Sequence, residues 1–167
     1  MIARTAVLAT ALTLGVGAAF GHGSSDEKKK HSSHTVKPAL EEKTFGRPGD
    51  RAKTTRTISV DMSDAMQFAP AEIEVRQDDT IRFVVKNSGK QMHEMVLGSM
   101  AELKEHHALM QKYPGMEHEE AYMAHVPPGK SGTIVWQFTK SGEFNFACLI
   151  PGHFEAGMIG RITVKAR

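Results

Sequence analysis

The segment from Glu143 to Lys165 constrains the chain most. Glu143-Phe-Asn-Phe-Ala-Cys148 alternates, so Phe144, Phe146 and Cys148 share one face of a strand. Met158 to Lys165 reads as a second strand that aligns Met158, Ile162 and Val164. Two such strands face a common core, and the loop between them projects from one end of it. Upstream, Arg56–Met62, Thr80–Lys86 and Thr133–Phe138 repeat the two-residue period, with Ile58, Val60 and Met62, then Ile81, Phe83 and Val85, then Ile134, Trp136 and Phe138 facing inward. A turn at Pro70 and a short strand to Val75 lie between the first two, and Gln91–Leu97 reads as a further strand. Turn signals at Gln77-Asp-Asp79, Asn87-Ser-Gly89, Pro127-Pro-Gly129 and Ser141-Gly142 separate the runs. About seven short strands predict an all-β sandwich over residues 55–167.

The loop carries chemistry. Cys148 is the only cysteine among 167 residues, set against nine histidines and ten methionines. His153 follows five positions later and Met158 five after that. Thiolate, imidazole and thioether form a soft donor set that suits copper in both of its common oxidation states. One more imidazole would complete two histidines, a cysteine and a weak axial methionine. His93 is the candidate, because it opens an apolar stretch just after the Asn87-Ser-Gly89 turn.

Residues 99–126 interrupt the strand pattern. Ser99 and Glu102 fit a capping box, and Met100, Leu103, His107 and Met110 recur at helical spacing until Pro114-Gly115. Met116, His118, Met123 and His125 repeat a Met-x-His pattern that suits a second copper site.

The N-terminus reads as an export signal over residues 1–21. Arg4 precedes an apolar run, Thr5–Phe20, that is short for a membrane span and is followed by charged residues. Cleavage after Gly21 would leave no stable membrane insertion and place the protein in the periplasm. Residues 22–54 are rich in Lys, Ser, Gly and Glu, which predicts a flexible tail. Its His22, His31 and His34 are candidates for loose copper binding. A net charge of +2 with mixed signs argues against nucleic acid as a partner.

Asn87-Ser-Gly-Lys-Gln-Met-His93-Glu-Met-Val-Leu-Gly98, taken with Phe146-Ala-Cys148-Leu-Ile-Pro-Gly-His153-Phe-Glu-Ala-Gly-Met158, resembles the cupredoxins over residues 55–167. With its histidine-containing start and Met/His insert, the chain is most similar to exported copper-tolerance members of the CopI type. The resemblance implies an eight-stranded Greek-key sandwich. It implies equatorial copper ligands at His93, Cys148 and His153 and an axial one at Met158. It also implies copper binding and redox in copper tolerance rather than enzymatic turnover, with weak cuprous oxidation as an accessory property. A soluble electron carrier serving a respiratory chain, with a redox partner protein, would use the same ligands. One such motif in a chain of this length excludes the additional domain and histidine clusters that catalytic multicopper enzymes need.

Overall fold

The computed structural model describes residues 42–113 and 118–167. The expected signal, the tail histidines His22, His31 and His34, and Met116 lie outside these residues.

Among the described residues, ten strands form two five-stranded sheets. In chain order they are β1 (Arg47–Pro48), β2 (Arg56–Ser63), β3 (Gln67–Ala69), β4 (Glu72–Arg76), β5 (Thr80–Asn87), β6 (His93–Gly98), β7 (Met123–Val126), β8 (Ser131–Gln137), β9 (Gly142–Ala147) and β10 (Ile159–Lys165). One sheet runs β1-β8-β5-β2-β3 and the other β4-β10-β9-β6-β7. Two of the pairings are parallel, β2 with β5 and β4 with β10. The remaining strand pairs are antiparallel, so the chain crosses between sheets rather than meandering through one.

The alternating residues fill the space between the sheets. Val60, Met62, Ile81, Phe83, Val85, Ile134, Trp136, Phe138, Phe146, Ile162 and Val164 are all buried there. Gly160 is fixed by this packing. A Cβ at that position would stand 2.1 Å from the Phe146 ring, so only glycine lets β10 pass beneath it.

Three features depart from the sequence reading. The sandwich begins before Thr55. Phe45 is buried and stacks on Trp136, with ring centroids 4.9 Å apart. Trp136 Nε1 donates to the Phe45 carbonyl at 3.1 Å, and β1 pairs with β8. One aromatic anchor thus ties a polar segment to the core. Second, Met123–Val126 is a strand, β7, that pairs with β6 in the register His93↔Val126 and Val96↔Met123. Third, the strands number ten because β1, β3 and β7 are too short for periodicity to reveal.

The insert forms α1 (Met100–Lys112). The capping box is present: the Ser99 side chain accepts from Glu102 N, and the Glu102 carboxylate accepts from Ser99 N at 2.9 Å. Leu103 and His107 are its buried residues. Leu103 packs with Val96, Met123, Ala147 and Leu149 in a second apolar cluster. β6 is therefore buried on both faces. Met95 and Leu97 point into the sandwich and Val96 points under the helix.

Candidate metal centre

Two connections, β5–β6 and β9–β10, converge at one end of the sandwich. His93 opens β6, Cys148 follows β9, and the next loop returns through His153 and Met158 into β10. β6 and β9 are antiparallel neighbours, so the start of one lies beside the end of the other.

The loop is held by its own backbone. Cys148 N donates to Met158 O at 3.1 Å, and Met158 N donates to His153 O at 3.0 Å. His153 N donates to Ile150 O, and Gly157 N to Phe154 O. Gly157 takes a positive φ of 86°, which a side chain would oppose. Helix α1 grips the loop from outside. His107 Nε2 lies 3.1 Å from Glu155 Oε1, and Gln111 Nε2 donates to the same oxygen. Glu155 Oε2 in turn accepts from Gly152 N at 2.9 Å, while the His107 ring packs on Phe154.

His93, Cys148 and His153 are all buried, and one donor atom of each lies within 4.8 Å of the others. Cys148 Sγ is 3.3 Å from His153 Nδ1. The rings of His93 and His153 are 4.9 Å apart. Met158 is fully buried in the same cluster as Cys148.

The state of His93 is informative. Its Nε2 is 3.1 Å from Asp64 Oδ1. Asp64 sits in the β2–β3 turn and also accepts from the backbone N–H groups of Lys90 and Gln91. Those bonds, the Lys90 N–H first, hold the Asp64 carboxyl below the usual carboxylate range. The carboxylate accepts a hydrogen bond from Nε2–H, which leaves Nδ1 with a lone pair. Nδ1 is buried and has no hydrogen-bond partner. A buried polar atom without a partner is costly, so its presence beside a thiol and a second imidazole marks a ligand position. A carboxylate bonded to the far nitrogen of a histidine is also the usual support of a metal ligand.

Protonation favours the same reading. Burial pushes the Cys148 thiol up to about 12, against a pull downward from the Glu94 and Ile150 backbone N–H groups. Burial, then the neighbouring His93, lowers His153 and keeps its ring neutral. The thiol keeps its proton until a cation replaces it. These residues therefore fit a soft metal ion that takes two neutral imidazoles and one thiolate.

Glu94 and Asp64 were not singled out by the sequence. Glu94 is a buried carboxylate one residue from His93. Its Oε1 accepts from Leu149 N at 2.8 Å, next to Cys148, and its Oε2 lies 2.9 Å from His125 Nδ1. A lone charge inside the apolar run of β6 was the available signal. For Asp64 no local signal exists.

The expected second site is rearranged. Met123 is buried under α1, and His125 has acceptors at both ring nitrogens: Glu94 at Nδ1 and the His118 carbonyl at Nε2. The Glu94 hydrogen bond raises the His125 pKa, so a metal at this ring would compete with a proton held more tightly. His118 instead meets His106, a residue outside the expected set, at 2.9 Å between Nε2 atoms.

A β-sandwich with a buried two-histidine, one-cysteine cluster at one end defines a copper-site protein. Residues 54–165 match the profile of the copper binding proteins, plastocyanin/azurin family, and the chain belongs to that family. It is 55% identical over 121 residues to the copper-resistant cuproprotein CopI of Rubrivivax gelatinosus, spanning 72% of this chain and 73% of that one. It is 34% identical to the protein of the same name from Vibrio cholerae, over 98% of this chain and all of that one. Among solved structures, auracyanin B is similar with a TM-score of 0.60 at 19% identity, covering 74% of this chain and 96% of that one. Auracyanin from Roseiflexus castenholzii gives 0.58 at 22% identity, over 66% and 98%. The all-β two-sheet architecture and copper as the metal follow from these findings together.

Proposed function

We propose that His93 Nδ1, Cys148 Sγ and His153 Nδ1 are the equatorial donors of a type 1 copper centre, with Met158 as the weak axial sulfur, and that the protein acts in copper tolerance outside the cytosol. The unpartnered, buried Nδ1 of His93 beside the only cysteine carries the ligand assignment. The copper-resistance names of the CopI relatives support the role. An N-terminal apolar run followed by charged residues supports a periplasmic location, and among the described residues no helix is long and apolar enough to cross a membrane.

Copper, when bound, supplies a one-electron couple. The chain's own residues set its surroundings. Cys148 gives up its proton as the metal enters, because a coordinated thiol is deprotonated outright. Asp64 fixes the tautomer of His93. The self-bonded loop and α1 hold His153 and Met158 in place, so the ligands move little between oxidation states. Phe146, Ile150 and Phe154 keep water away. This arrangement favours binding and electron transfer over turnover of a substrate. A redox partner would approach through the exposed Pro151-Gly152 edge of the loop.

Growth of a deletion strain in copper tests the role. Wild type should restore tolerance and Cys148→Ser should not, with respiration normal throughout. Rescue by Cys148→Ser would contradict the assignment. A respiratory defect at ordinary copper levels would identify an electron carrier instead.

A further inference from the structure

We propose that His106 and His118 form a second, surface-accessible metal site that takes a copper ion without any residue of the buried centre. His106 lies on α1 and His118 on the return segment before β7. Their Nε2 atoms are 2.9 Å apart and their rings stack at 4.8 Å. Both rings are part-buried. One Nε2–H donates to the other's lone pair, so two imidazole nitrogens converge on a single point.

The spacing suits a cis pair of ligands. Two nitrogens bound at tetrahedral angles, with bonds near 2.0–2.1 Å, stand about 3.3 Å apart. The rings need open by only about 0.4 Å, whereas a linear pair would need roughly 4 Å. Metal binding replaces the shared hydrogen, which moves to Nδ1 of the donor ring, so no net proton is released. Burial first, then His118, lowers the His106 pKa and keeps this ring unprotonated.

The surroundings complete a site rather than a chance contact. A surface cavity of about 260 Å³ adjoins the pair, lined also by Glu105, Leu109, Tyr122 and Lys43. It leaves room for the remaining ligands, water or the Glu105 carboxylate. The position of His118 is fixed from behind, because its carbonyl receives His125 Nε2 and His125 is anchored on buried Glu94. Imidazole suits copper, and a further donor from the cavity lets Cu(I) take the bent arrangement that this spacing allows.

The test uses Cu(I) on the full mature protein without oxygen, in competition with a chromophoric chelator. Wild type should hold one Cu(I) more than His106→Asn/His118→Asn. Given one equivalent of Cu(II) instead, both proteins should show the intense visible band. Equal Cu(I) counts would overturn the proposal. Loss of that band in wild type would overturn the buried centre instead. A second reading guards against a misfolded variant. In wild-type protein already holding one Cu(I), a second equivalent should shift the ring resonances of His106 and His118 together. Resonances that stay put while only His22, His31 or His34 respond would overturn the proposal.

Discussion

Two histidine pairs in this molecule differ in what stands behind them. His93 and His153 lie at the buried end of the sandwich, with Asp64 bonded to the far nitrogen of His93 and a self-bonded loop around His153. His106 and His118 bond to each other at their Nε2 atoms, at a part-buried edge beside an open cavity. The first pair is oriented before metal arrives, and its unpartnered Nδ1 has nothing else to bind. The second must break a hydrogen bond and open slightly. If both pairs take copper, the same side chain would serve a retentive centre in one place and an exchangeable one in another, with the carboxylate partner and burial making the difference.

Removing that carboxylate should erase much of the contrast. Asp64→Ala is expected to weaken copper binding at the buried centre by about 10–100-fold, measured by chelator competition. Unchanged affinity would mean that the loop alone orients His93. Next in size is Glu94→Ala, which removes the acceptor of Leu149 N–H and of His125 Nδ1. It should lower stability by about 1–3 kcal/mol in urea unfolding, and a neutral result would show that water replaces the carboxylate. His107→Ala removes one of the two α1 side chains that hold Glu155, together with the ring's contact to the Leu149 carbonyl. It should cost about 1 kcal/mol and speed amide exchange at Gly152, with the copper spectrum little changed. A smaller effect is expected from pH. Glu94 raises the His125 pKa, so the folded state binds the extra proton more tightly than the unfolded chain. That stabilisation is fully present below the unfolded value near 6.5 and is lost as pH rises through the raised folded value. Metal-free wild type should therefore lose stability over this window relative to His125→Asn, and parallel pH profiles would contradict the Glu94–His125 link.

The copper loop was legible because its information is local. A lone cysteine, fixed spacings to His153 and Met158, and strand parity on both sides place three groups at one end. His93 needed a turn and an apolar run, both visible in sequence. Asp64 reaches His93 across 29 positions, and no periodicity reports such a contact. Phe45 was hidden by the polar composition around it, although a single aromatic on Trp136 moves the domain boundary. β7 was read as a ligand pattern because Met123 and His125 look like donors. The edge of β6 claims that segment as a strand, and the side chains follow. His106 stands on a helix whose periodicity reports only its apolar stripe, and its partner His118 arrives only after the chain turns back.

Addition of one Cu(II) equivalent to the protein tests the central claim most directly. Wild type should develop an intense visible thiolate-to-copper absorption, His106→Asn/His118→Asn should keep it, and Cys148→Ser should lack it. A wild-type protein without the band, or a Cys148→Ser protein that retains it, would contradict the assignment of Cys148 to a type 1 copper centre.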